Sequence, residues 1–192
     1  VFQFGIDWFD KFLDEEVADG SWNSTLQPPQ EVEKNVAGYI WARLASPDSR
    51  IRWQMAHVVR GLVYFDQKII LDELVKFAQK ENSIRPFIDQ KFYFYELHAL
   101  QWFRIALNRS IQDNVQCIAY YFEFLLEISL NSKHAMICEI TKNIIIKLDQ
   151  FNAISLDQET LSKVTKINVS QLNIGDSLTR PVTEKIERVY GG

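Results

Sequence analysis

Between Ser46 and Leu62 the chain reads SPDSRIRWQMAHVVRGL, and Ile51, Met55, Val58, Val59 and Leu62 recur at the intervals of a helix with one apolar face. Ala56 lies beside that stripe and is small enough to let a neighbouring helix approach closely. Upstream, Val36, Tyr39, Ile40 and Leu44 mark the stripe of a shorter helix. The text between them predicts a helix start, with Ser46 as N-cap, Pro47 at the first helical position and Asp48 near the positive end of the helix dipole. Two amphipathic helices joined by so tight a turn form a helical hairpin, and neither can bury its stripe alone.

The same period recurs along the chain. Residues 4–17 (FGIDWFDKFLDEEV) place Ile6, Phe9, Phe12 and Leu13 on one helical face and acids on the other. Residues 20–30 form a loop closed by Pro28-Pro29, in which Trp22 is expected to dock on its own domain. Lys68 to Lys80 offers Ile69, Ile70, Leu74, Phe77 and Ala78 as the next helix, followed by a connection over 81–90. Phe92 to Asn108 and Asn114 to Leu130 are each apolar nearly all round, a pattern that predicts burial on more than one side. A turn at Asn131-Ser132 leads into His134 to Leu148, with Ile137, Ile140, Ile144 and Leu148 as its stripe. Turns at 46–48, 81–91 and 131–132 therefore stand about forty residues apart, the rhythm of a helical repeat. The pair ending with 134–148 repeats the layout of the first hairpin. A short helix over 157–166, capped at Ser155, precedes a tail from Asn168 onward. The expected organisation is an acidic helix and loop over 1–34, stacked hairpins over 35–150, and a short helix with a poorly specified tail over 151–192.

The run LASPDSRIRWQMAHVVRGL, Leu44 to Leu62, resembles the HEAT consensus: a proline-aspartate turn, an aliphatic residue with arginine, and an alanine before an aliphatic run. That resemblance implies an all-α, armadillo-type superhelix, a right-handed stack of hairpins whose usual work is to hold another macromolecule. It also implies that the arginine at the position of Arg52 pairs with the aspartate of a neighbouring turn and locks repeats together. The text from ADGSW through SPDSRIRWQMAHVVRGL is similar to the helical repeat regions of large bacterial ATP-binding proteins, some of which act in defence against phage. On that resemblance the chain is the regulatory or sensor arm of a multidomain NTPase, with catalysis outside these residues.

Composition narrows the field. At 192 residues and 47% apolar, the chain can build a sizeable core and is unlike a disordered segment. Seven glycines and five prolines are too few for the turns of an all-β domain. Residues 1–33 carry eight acids against one base, Lys11, a net −7; with the whole chain at −4, the remainder stands at +3. A pI near 5.4 disfavours non-specific nucleic-acid binding, and with it a HEAT-like base-excision glycosylase. No run approaches the ~18 apolar residues of a membrane span. Cys117 and Cys138 both lie in apolar helical text and read as buried thiols in a reducing, cytoplasmic setting. The chain begins with Val1, which suggests a piece of a longer polypeptide.

Motifs for catalysis are missing from the text: no phosphate loop, no nucleophile elbow, no HExxH, no cysteine-histidine cluster at zinc spacing. His57, His98 and His134 belong to different hairpins. Cys138 and His134 share a helical face, yet Cys138 is flanked by Met136, Ile137 and Ile140 and reads as packing. The reading is of a non-enzyme with no cofactor and no metal. One constellation points outward. Arg43, Arg50, Arg52 and Arg60 crowd the first hairpin against a single acid, Asp48, between residues 35 and 65, and Trp53 adjoins Arg52. Arginine suits bidentate contact with carboxylates and stacking on aromatic rings. Arg43, Arg50, Arg52, Trp53 and Arg60 are thus the candidate partner-binding set, for another protein or another domain of the same polypeptide. The competing role for the set is to lock the repeats together.

Overall fold

The computed structural model describes residues 30–80 and 96–169. The readings for residues 4–17, Trp22, the 81–91 connection and the tail beyond 169 lie outside the described residues. Within them the chain forms eight helices and no strand: α1 (Val32–Leu44), α2 (Ser49–Tyr64), α3 (Lys68–Gln79), α4 (Glu96–Ser110), α5 (Val115–Ala119), α6 (Phe122–Asn131), α7 (Ala135–Gln150) and α8 (Gln158–Thr165). The described residues are all-α, as the periodicity predicts. No helix among the described residues is long and apolar enough to cross a membrane.

The first hairpin forms, but its turn is built differently from its expected cap. Asp48, not Ser46, is the N-cap of α2; its carboxylate accepts the Arg50 N–H at 2.8 Å. The Ser46 hydroxyl instead accepts the Asp48 N–H at 3.2 Å, and Pro47 lies in the turn before the helix. A carboxylate at the cap satisfies a free donor and meets the helix dipole at once, which the hydroxyl two residues earlier cannot do. Likewise α8 is capped by Asp157, which accepts the Thr160 N–H at 2.7 Å, and not by Ser155.

Helix rotation is set by Trp41. It is fully buried between Phe77 of α3 (ring centroids 6.4 Å apart) and Phe103 of α4 (5.9 Å, edge to face). Seating that ring turns Ala37, Gly38, Ile40 and Leu44 inward. Val36 and Tyr39, expected on the buried stripe, are left outside, Tyr39 being 56% exposed. In α2 the buried residues are Ala56, Val59 and Val63, with Val58 exposed, so the small alanine sits at the centre of the contact. In α3 Leu71, Leu74, Val75 and Ala78 face the core and Ile69 faces solvent. Packing runs α1 on α2, α3 and α4; α2 on α4; α4 on α7; and α6 on α7.

The run 114–130 is two helices rather than one. It breaks at Tyr120-Tyr121, where the buried Tyr121 hydroxyl donates to Asp72 of α3 at 2.9 Å and Tyr120 stays exposed under Lys68. No glycine or proline marks the break; the hydrogen bond to another helix holds it.

The turns before α2 and α7 share a construction. Ser132 accepts the His134 N–H on its hydroxyl, as Ser46 does from Asp48, and its carbonyl accepts from a side chain six residues on, Cys138 Sγ here and Arg52 there. Both helices have 16 residues, and each is followed two residues on by a left-handed residue, Asp66 or Asn152, the usual way to close a helix C-terminus.

Arg104 of α4 is the anomaly of the interior. Its side chain is fully buried against the Phe124 ring; Nη1 donates to the Leu100 carbonyl at 2.6 Å, while Nε and Nη2 have no partner. Burial pushes its pKa down to about 10, so it is still a cation at neutral pH and its desolvation cost is fully present. Arg104→Met keeps the stem and removes the orphaned donors; it is expected to raise unfolding stability by about 1–3 kcal/mol in urea titrations. A loss of that size would show that the guanidinium is engaged.

Candidate partner-binding face

The seam between α2 and α4 carries the side chains of interest. Arg52, Trp53, Ala56, His57 and Arg60 are spaced along one side of α2, and Trp102, Ala106 and Arg109 at three- and four-residue steps along α4. Ala56 and Ala106 are both buried and short, so the helices meet closely there and the larger neighbours stand up as a rim. Trp53, Ala56, His57, Arg60, Ala106 and Arg109 line the resulting shallow depression, which has room on the order of one water molecule.

Aromatic and cationic groups alternate across this rim. The Arg109 guanidinium stacks 4.7 Å from the centroid of the Trp53 ring. Trp53 meets Trp102 edge to face at 6.0 Å and His57 at 4.9 Å. Beyond Trp102 the Arg52 guanidinium lies 5.5 Å from the ring centroid. Each such contact is worth ~0.5–1 kcal/mol near the surface, and in series they fix ring orientation more than they add stability. Trp53 remains 39% exposed, and Arg109 has no carboxylate partner among the described residues.

The five residues singled out from the sequence do not act as a set. Arg52 is a strut: Nη1 donates to the carbonyls of Ser46 (2.5 Å) and Pro47 (2.8 Å), closing its own turn rather than reaching an aspartate of a neighbouring one. The aspartate contact expected of Arg52 falls to Arg60 instead. Its Nε and Nη2 donate to the two Asp113 oxygens at 2.5 and 2.8 Å, a bidentate bridge from α2 to the turn after α4. Arg50 is exposed and paired with its own cap, Asp48, at 3.1 Å. Arg43 sits on α1 over the Tyr39 ring at 5.5 Å, away from the α2–α4 depression. Only Trp53, Arg52 and Arg60 share the seam. Arg109, His57 and Trp102 complete it and were not in the sequence set; the spacing of Trp102 and Arg109 puts both on one side of a helix, but only the pairing of α2 with α4 shows what they face.

Among the described residues no group of three or more histidine, cysteine or carboxylate side chains gathers to hold a metal ion. Cys117 and Cys138 are free and buried. Burial, with Asp66 and Asp72 nearby, pushes the Cys117 thiol up to about 12, far from a nucleophile. Cys138 donates to the Ser132 carbonyl at 3.1 Å, while the His134 ring accepts the Ile137 N–H as cap of α7, so the two do not form a thiol–imidazole pair. Burial, then the charge of Arg52, lowers the pKa of His98. No family model matches the chain, nor does any curated protein or solved structure.

The Arg60 guanidinium holds the Asp113 carboxyl below the usual carboxylate range. A folded-state pKa below the unfolded one stabilises above the unfolded value and is lost as pH falls through the folded one. Asp113→Asn is therefore expected to lower the melting temperature at neutral pH, with the gap to wild type closing below about pH 4. A gap independent of pH would mean that the ionic contact contributes nothing.

Proposed function

We propose that the chain is a non-catalytic, HEAT-like stack of helical hairpins that holds another protein, or another domain of the same polypeptide, on the α2–α4 face. The observation that carries this reading is Trp53: a large ring left part-exposed on a seam that is otherwise tied down, with an arginine laid over it. Clamped aromatic and arginine side chains are what binding hot spots are made of, since little freedom is lost on docking.

The repeat reading draws support from construction. The matching turns at Ser46 and Ser132 and the matching left-handed closures at Asp66 and Asn152 are separated by about twice the roughly 40–47 residues of a HEAT repeat. Consecutive packing of α2 on α4 and of α4 on α7 fits the second helices of three successive hairpins. In such a stack one layer of helices lines a continuous binding surface. The two free, buried thiols fit a reducing compartment such as the cytoplasm.

A photo-crosslinking amino acid in place of His57, compared with one in place of the exposed Lys163 on α8, tests the face directly. The expected result is a single adduct in source-cell extract from position 57 and none from 163. The captured protein, purified, should then bind wild type at least about tenfold more tightly than a folded Trp53→Ser variant, about 1.4 kcal/mol. Equal adducts from both positions, or none from 57, would remove the face from consideration.

A further inference from the structure

The charge census of the α2–α4 face names the chemistry of what it takes. From Ser49 to Phe65 there is no acidic residue, and α4 contains only Glu96, in its first turn. Among the described residues, the acid at the end of this face, Asp113, has both oxygens engaged by Arg60. Arg109 is left as an exposed cation without a carboxylate among the described residues. Its guanidinium centre lies 4.7 Å from the centroid of the Trp53 ring, and a guanidinium carries a fork of N–H donors suited to a two-pronged contact.

Resting on the reading of this face as protein-binding, we propose that its occupant is an acidic segment of another polypeptide. It places a glutamate or aspartate carboxylate on Arg109 and an adjacent apolar side chain against Trp53 and His57 over the depression between Ala56 and Ala106. Carboxylate rather than polyphosphate follows from the scale of the charge. The face offers one open arginine beside an aromatic pair, not a track of cations, and it belongs to a chain of net charge −4. A nucleic-acid backbone needs several simultaneous phosphate contacts to overcome such a balance. An acidic, partly apolar peptide needs one good bidentate pair and a ring to lie on.

The test uses the full 192-residue chain and fluorescence anisotropy with three fluorescein-labelled probes of about a dozen units: a peptide alternating Glu and Leu, its Lys-for-Glu counterpart, and oligo-dT. The acidic peptide is expected to bind; the lysine peptide and the oligonucleotide are expected not to. Raising NaCl from about 50 to about 500 mM, where charges are screened within a few ångströms, should weaken the acidic peptide at least about tenfold. Arg109→Glu should abolish its binding. Arg109→Leu, which keeps an apolar contact on Trp53, should weaken it by a similar factor as salt and guard against a folding defect, checked by circular dichroism. Binding unchanged in both folded variants, tighter binding of the lysine peptide, or tighter binding of oligo-dT would overturn the proposal. Should a protein captured at position 57 bind with no dependence on salt or on Arg109, the acidic occupant is refuted while the binding face stands. Should nothing be captured at 57 and the acidic peptide also fail, both readings fall together.

Discussion

The bidentate bridge between Arg60 and Asp113 is the interaction on which the rest of the arrangement depends. Among the described residues the other ion pairs link positions at most four apart in sequence, whereas this one joins the C-terminal half of α2 to the turn after α4. Beside it the Asn114 amide donates to the Val63 carbonyl at 3.2 Å, a second tie across the same junction. At the other end of the seam Arg52 closes the hairpin turn and lies against Trp102 of α4. With both ends held and two alanines between them, α2 has little freedom to slide on α4, and Trp53 is presented in one orientation.

Arginine does four different jobs in this small region, and the destination of its donors tells them apart. In Arg52 they go to backbone carbonyls, which makes it a turn lock, although its Nε is buried without a partner. In Arg60 they go to a carboxylate from another element, which makes it a clamp. In Arg104 two of them go nowhere inside the core, a local cost the surrounding packing must offset. In Arg109 the guanidinium lies over the Trp53 ring and meets no carboxylate among the described residues, which is why the proposed contact is placed there. Charge alone does not separate these roles; burial and hydrogen-bond geometry do.

How much of this was legible beforehand follows from how local each feature is. The first hairpin and the helices at 68–79 and 135–150 are written in short-range periodicity, and the chain follows it. Which way α1 turns was not legible, because it depends on Trp41 meeting Phe77 and Phe103 from two other helices. The break at Tyr120-Tyr121 hangs on a hydrogen bond to Asp72 and leaves no mark in composition. Trp53 could be picked out as an aromatic beside arginine in a polar neighbourhood. Its cationic neighbour could not, since Arg109 lies 56 positions away in sequence and comes to the ring only through the packing of α4 on α2. Arg43 and Arg50 looked equivalent to their neighbours because sequence proximity hides the turn that separates them.

The measurement closest to the heart of this arrangement is a nuclear magnetic resonance experiment on the full chain, reading the Arg109 side-chain protons. Stacking on an indole predicts that its methylene resonances move upfield, with cross-peaks to the Trp53 ring that vanish in Trp53→Ser. Random-coil shifts for Arg109 and no contact with Trp53 would contradict the geometry, and the proposed binding face would lose its foundation.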